Sequence, residues 1–326
     1  MKEKELEVLK QYDIDVKSIR KIRGAILCDT VQGAFVLKEM PFSEKRIPAL
    51  FDLYQCIQEQ GYKNVDAIIK NKEDEYLTTS EEGTKYLLKK WFYGKECDSR
   101  KEPDILEGVQ NLALLHRIMK RPNMEQKPQE DLYDEFLRHN REMKKVRTFI
   151  RNKVNKGDFE IVFLKHFDKM YEWAEAATLS LSDERYKTLL EHSEKEGTIV
   201  HGDYNYHNIL ITNSGIATTN FDRFRQGIQL SDFYYFLRKT MEKNQWDINL
   251  GNKMMECYNR ILPFSEEELE YIAVSIAYPE KFWKVANSYY RSRKAWISEK
   301  NLEKLKTAIR QTEGKKKFLQ ELFSFF

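Results

Sequence analysis

The spacing of apolar residues changes once along this chain. Up to Tyr93 they come in short runs separated by turn residues, as strands do, and from Asp104 they recur at helical spacing over long stretches. Residues 2–11 read as a short, charged surface helix. Lys17–Ile22, Gly24–Thr30 and Ala34–Met40 read as three strands, with Val31-Gln32-Gly33 turning between the last two and Gly33 supplying the positive φ of a tight hairpin. Ser43–Gln60 is predicted helical, with Leu50, Leu53, Tyr54 and Ile57 on one face, Pro48 disturbing its first turns and Gly61 ending it. Asp66–Lys70, Glu75–Thr79 and Thr84–Tyr93 are strand-like, with Ser80–Gly83 as a hairpin turn. Gly94–Cys97 is the candidate domain boundary.

Beyond it, Asp104–Lys120 carries Ile105, Val109, Leu112, Leu115 and Met119 on one stripe, and His116 beside them reads as a core or helix-end histidine rather than a ligand. A loop over Pro122–Lys127 leads to two long amphipathic helices, Asp131–Asn152 and Phe159–Leu179, then a shorter one, Ser182–Ser193. The basic run Lys144, Lys145, Arg147, Arg151, Lys153 and Lys156 reads as a solvated helix face. Short apolar strands recur at Thr198–Val200, Ile209–Ile211 and from Ile216, and another helix opens at Leu230. Residues 251–312 form several helices, with the aromatic piece Tyr278–Tyr290 as core, and Phe318–Phe326 is apolar enough to dock on the body or touch a partner. The pattern predicts a two-lobed α/β (α+β) fold: a small antiparallel-sheet lobe with one helix over residues 1–93, and a large, mostly helical lobe over 94–326.

Composition fits a folded chain, with 41% hydrophobic and 13% aromatic residues among 326. A net charge of +3 on 55 basic and 52 acidic residues makes no case for nucleic acid as a partner. Cys28, Cys56, Cys97 and Cys257 are scattered without C-x-x-C pairing, so neither a zinc site nor a disulfide framework is indicated, and free thiols in a reducing compartment are expected. The first residues are too charged for a signal peptide and no apolar run reaches membrane-spanning length. These features predict a chain made and folded in the cytosol, without a membrane partner.

The candidate chemistry centres on His201-Gly202-Asp203-Tyr204-Asn205-Tyr206-His207-Asn208, a polar loop between two apolar strands. A loop of this length can turn back so that the Asp203 carboxylate and the Asn208 amide face one transferred group. The spacing is that of the kinase catalytic loop, in which the Asp accepts a proton from the attacking hydroxyl and the Asn holds magnesium. Phe35-Val36-Leu37-Lys38 has the arrangement of a strand lysine that reaches ATP phosphates, the alternative being an edge lysine facing water. Glu44 is the glutamate placed to pair with Lys38. Lys90, Trp91, Phe92 and Tyr93 stand where a hinge backbone pairs with adenine. Asn220 and Asp222 stand where the second metal ligand is expected, two residues apart on one face of a strand. Asp232 either accepts backbone N–H groups of the loop or is a plain first-turn helix acid. Tyr204, Asn205 and Tyr206 are candidates to line an acceptor pocket. A glycine-rich phosphate loop is missing, Arg23-Gly24 being the one weak substitute.

Lys38, the hinge at Trp91–Gly94, the loop ending in Asn208, Asn220-Phe221-Asp222 and Asp232 follow one another as in aminoglycoside phosphotransferases and choline kinases. More narrowly, the chain resembles the CotS family of spore-coat proteins of that superfamily. The residues that carry this are Trp91-Phe92-Tyr93-Gly94-Lys95-Glu96, the His201–Asn208 loop, Thr219-Asn220-Phe221-Asp222 and Tyr278-Pro279-Glu280-Lys281-Phe282-Trp283. The resemblance spans nearly the whole chain. It implies ATP and Mg2+ between two lobes, transfer to an unknown small hydroxyl-bearing acceptor, other coat proteins as partners, synthesis in the mother-cell cytoplasm and deposition on the forespore. One departure stands out: active members carry Asp where this chain has Asn220, and an amide is a neutral, weaker ligand for a hard cation. Two functions are therefore open, a small-molecule phosphotransferase and a kinase fold used as a structural component of the coat.

Overall fold

The computed structural model describes residues 3–22, 24–40, 43–121, 130–292 and 299–324. Arg23 of the Arg23-Gly24 turn, the loop expected at Pro122–Lys127, and Phe325 and Phe326 of the apolar end lie outside the described residues. The chain divides into two compact units, Met1–Lys127 with Glu196–Asp232, and Pro128–Lys195 with Phe233–Phe326.

The first unit begins with helix α1 (Glu3–Leu9) and strands β1 (Val16–Ile22), β2 (Ala25–Thr30) and β3 (Gly33–Glu39). Helix α2 (Ile47–Glu59) and strands β4 (Ile68–Ile69), β5 (Thr78–Thr79) and β6 (Lys85–Lys90) follow. The six strands form one antiparallel sheet of order β1-β2-β3-β6-β4, with β5 also pairing β6. Gly33, with φ +128°, faces Thr30 across the expected tight hairpin. Residues 2–11 are not a mere surface helix: Val8, Leu9 and Tyr12 are buried against Cys28, Phe35, Leu37 and Leu88 of the sheet. The strands expected over Asp66–Lys70 and Glu75–Thr79 shrink to two residues each. Asn71 accepts the N–H of Glu73 and Glu75 with its side chain, and such local bonds compete with a ladder. Helix α2 starts at Ile47 rather than Ser43. Pro48 falls in its first turn, where a missing N–H costs no hydrogen bond, and the residues before it form a separate 3₁₀ turn, Glu44–Arg46.

Strand β7 (Lys95–Glu96) and helix α3 (Glu102–Ile118) come next in this unit, which resumes with β8 (Ile199–Val200), β9 (Ile209–Thr212), β10 (Gly215–Thr218) and β11 (Arg225–Gln226). They pair as a β10-β9-β7 sheet and a β11-β8 ribbon. Gly94 is required by close approach: a Cβ there would lie 2.4 Å from the Ile211 carbonyl oxygen of β9.

The second unit is helical: α4 (Leu132–Asn152), α5 (Asp158–Ser180), α6 (Glu184–Glu196, whose last residue belongs to the first unit), α7 (Leu230–Lys243, whose first three residues belong to the first unit), α8 (Ile248–Asn259), α9 (Glu266–Ala277), α10 (Glu280–Arg291), α11 (Glu299–Arg310) and α12 (Thr312–Phe323). Asp131 caps α4, accepting the Tyr133 N–H. The aromatic piece at Tyr278–Tyr290 is core as expected, with Tyr278 stacked on Phe136 and Phe282 on Phe163. Of the apolar end, Phe318 and Leu319 are fully buried, so this part of α12 docks on its own unit. In the basic run, Lys144, Arg147 and Lys153 pair with Glu175, Asp168 and Glu160. No helix among the described residues is long and apolar enough to cross a membrane, and the four cysteines are free thiols.

Candidate functional site

The loop between β8 and β9 is fixed from below by Asp232. Its carboxylate, almost fully buried, accepts the N–H of His201 at 2.6 Å and of Gly202 at 2.9 Å, and His116 Nε2 faces it at 3.4 Å. Of the two sequence readings of Asp232, the loop-holding one is realised, and His116 is a core residue. Burial works to raise the Asp232 carboxyl, and the bonds from His116 and His201 outweigh it, holding it below the usual carboxylate range. Gly202 has φ +79°, and a Cβ there would meet the Arg223 carbonyl oxygen at 2.2 Å, so the loop needs glycine at this point.

Within the loop, His201 Nδ1 accepts the Asp203 N–H at 3.1 Å, so Nε2 carries the ring proton and donates to the Thr219 carbonyl at 3.0 Å. Asn208 donates its amide to the Asp203 carbonyl at 2.8 Å, and Asn205 donates to Asp203 Oδ1 at 2.9 Å. Asp203 is thereby oriented and remains half-exposed. Tyr204 does not face an acceptor pocket: it is fully buried and donates to the Gly108 carbonyl at 2.7 Å. Asn205 and Tyr206 are half-exposed.

β10 ends at Thr218, and Asn220 takes the left-handed conformation (φ 69°, ψ 50°) that asparagine tolerates better than most residues, before a 3₁₀ turn over Phe221–Arg223. Asn220 and Asp222 are thus not two positions on one strand face. The turn brings both side chains to Lys38, whose ammonium donates to Asn220 Oδ1 at 3.1 Å and Asp222 Oδ2 at 2.6 Å. The other Asp222 oxygen accepts from Lys89 at 2.7 Å. Lys89, in β6, has a side chain only 2% exposed and also faces Asp66 Oδ2 at 3.4 Å. Asp66 in turn accepts the Tyr54 hydroxyl at 2.7 Å and the Asn220 N–H at 2.9 Å. Burial works to raise the Asp222 carboxyl, but Lys89 and Lys38 hold it below its ordinary range. Burial works to lower Lys89, but Asp66 and Asp222 hold it above. Lys89, Asp66 and Tyr54 were not singled out in the sequence. The one signal was for Lys89, a lysine two residues after buried Leu87 and so on the same inward face of the strand.

Glu44 is not brought to Lys38. It precedes α2, is exposed and pairs with Lys85, and Tyr54 is the α2 residue that reaches the cluster. At the stretch read as a hinge, the Lys90 and Trp91 N–H groups donate to the carbonyls of Ala67 and Ala34, both at 2.9 Å, and the Lys90 ammonium lies over the Phe92 ring. Magnesium prefers oxygen donors that include carboxylates. Here Asp222 has an ammonium on each oxygen, Asn220 is neutral and accepts from Lys38, and no three acidic, histidine or cysteine side chains among the described residues form a metal-holding group. This donor set does not fit the ion.

Residues 5–322 match a family model described as "Spore coat putative kinase YutH". The chain belongs to this spore-coat family. Spore coat protein S of Bacillus subtilis (strain 168) is 25% identical over 166 residues, 50% of this chain and 47% of the relative, so the match spans about half the length of that protein. Among solved structures, an aminoglycoside phosphotransferase from Alicyclobacillus acidocaldarius aligns with a TM-score of 0.88 at 17% identity, covering 98% of this chain and 95% of its own. A spectinomycin phosphotransferase, solved with ADP and spectinomycin, aligns at 0.63 and 13% identity, covering 98% of each chain. At these identities the likeness is one of fold: an antiparallel-sheet N-terminal lobe followed by a mostly helical part.

Proposed function

We propose that the chain is a kinase-like component of the spore coat whose cleft binds a nucleotide and transfers its phosphoryl group weakly or not at all. In this reading residues 1–93 form the nucleotide-binding lobe and 94–326 the helical lobe that carries the catalytic loop. Lys38 meets the phosphates and the backbone at Lys90, Trp91 and Phe92 lies beside adenine. The observation that carries the reading is the Asp222 carboxylate held between Lys38 and Lys89, beside an amide at position 220. A second reading, ATP- and magnesium-dependent transfer to a small-molecule hydroxyl, is favoured by the oriented pair of Asp203 and Asn208. There Asp203 accepts the hydroxyl proton, which needs only a half-exposed carboxylate within reach of the acceptor.

ATP turnover and ATP-induced thermal shifts, measured for wild type, Asn220→Asp and Asp203→Asn, test the choice. Wild type is expected to shift with ATP, by about 2.7 kcal/mol at a hundred times the dissociation constant, while its turnover stays near background. Asn220→Asp adds one negative charge beside Lys38 with little change of volume, so turnover and the response to magnesium should rise. Brisk wild-type turnover that Asp203→Asn abolishes would establish the second reading instead.

A further inference from the structure

The groups around Asn220 form a balanced charge set. Lys38 pairs with Asp222 at 2.6 Å, Lys89 with Asp222 at 2.7 Å and Lys89 with Asp66 at 3.4 Å, so two ammonium groups face two carboxylates. Lys89 and Asp66 are buried to 2% and 3% exposure, Asp222 to 10%, and Lys38 is the outer member at 29%. Buried charges persist when they are paired, and each of these is. A magnesium site is built the other way: its carboxylates carry an excess of negative charge, and the ion supplies the balance. A divalent cation entering here would sit beside two ammonium groups already hydrogen-bonded to the one carboxylate it needs. Displacing Lys89 would leave that ammonium buried with Asp66 as its remaining carboxylate, and Asp66 is already held by Tyr54 and the Asn220 N–H. An anion meets no such conflict. Lys38, partly exposed, has three N–H donors and bonds Asn220 and Asp222 with two of them, so it can reach a phosphate oxygen without leaving Asp222, and the charge set stays balanced.

We infer that the cleft takes its nucleotide as the metal-free anion, and that Lys89 is the built-in counter-cation standing in for a divalent ion. The inference rests on the nucleotide-binding reading above and adds the ionic form of the ligand and the residue that selects it. Magnesium in solution converts ATP into a complex carrying two fewer negative charges. Magnesium and the ammonium groups of the protein should therefore compete for the nucleotide, and added magnesium should weaken binding.

The test is calorimetric titration of the full chain with ATP, in EDTA and in millimolar magnesium chloride. The expected result is binding in EDTA, several-fold weaker with magnesium. Lys89→Met keeps the side-chain length and leaves one carboxylate in excess, so in that variant binding should become magnesium-dependent. The double variant Lys89→Met with Asp222→Asn restores neutrality and should again bind without the ion. Wild-type binding that requires magnesium would overturn the inference and leave nucleotide binding standing. Absence of binding in both buffers would overturn nucleotide binding itself, and this inference with it. A folded Lys89→Met variant whose binding magnesium weakens as it weakens that of wild type would remove Lys89 from its assigned part. The wild-type comparison needs no substitution, so misfolding of a variant does not blunt it.

Discussion

Asp222 ties three segments together through two oxygen atoms, and its protonation should be readable in stability. Its folded-state pKa lies below the ordinary carboxylate value, so its contribution is present above that value and is lost as pH falls through the lower, folded one. Lys89 is shifted above the ordinary lysine value, so its contribution is complete below that value and is lost only in strong alkali. Between roughly pH 5 and 9 the cluster should add a constant amount. Asp222→Asn should cost about 3 kcal/mol there, because Lys89 loses one of its two carboxylates in a buried site. The gap between wild type and variant, followed by denaturant titration across pH, should close in acid. A gap that persists unchanged to about pH 2 would mean that charge is not what Asp222 contributes. The two residues that Lys38 meets, Asn220 and Asp222, were legible in the chain, because they stand at a spacing from the His201–Asn208 loop that chemistry fixes. The ones behind them were not. Tyr54 continues an apolar helix stripe, Lys89 ends an apolar run, and Asp66 opens a short one, so each looks like ordinary pattern until the fold closes. Glu44 was misplaced because helix α2 starts three residues after it.

At the scale of elements, the loop from β8 to β9 depends on one glycine. Gly202→Ala puts a Cβ 2.2 Å from a backbone oxygen at a positive φ, so the loop must move away from Arg223. The expected loss is roughly 2–3 kcal/mol by chemical denaturation, together with loss of any ATP-induced shift, since Asp203 is the next residue. A variant as stable as wild type would show that the loop has another conformation available. Long periodic elements were legible to within a few residues at each end: α3, α4 and α5 follow the predicted helices. The short ones were not. β7 and β11 are two residues each, too short for an alternation to register, and they exist because β9 and β8 offer them an edge. The burial of α1 was missed because its charged residues outnumber the two apolar ones that reach the sheet.

At the scale of the molecule, the helical unit closes on its own last helix. Phe318 is fully buried, and it fills the space that Gly251 leaves, beside the Trp246 ring at 5.5 Å. Phe318→Ala should cost about 3–5 kcal/mol, measured as a lower denaturation midpoint of the purified chain. A loss below about 1 kcal/mol would mean that α12 is not part of the unit's core. The two-lobed class was visible in the switch of spacing near Gly94, whereas the composition of the first unit was not, since no local pattern announces that residues 196–232 complete a body begun by residues 1–127. That discontinuity bears on how the chain is made. The sheet with Lys89 leaves the ribosome long before Asp222 does. Translation runs at about 5–20 residues per second, so roughly 5–20 s pass between the end of the first segment and the arrival of its missing carboxylate. During that interval the Lys89 ammonium has Asp66 as its acidic partner and lacks the cover of residues 220–222, so the sheet stays open to proteases and chaperones until residue 222 emerges.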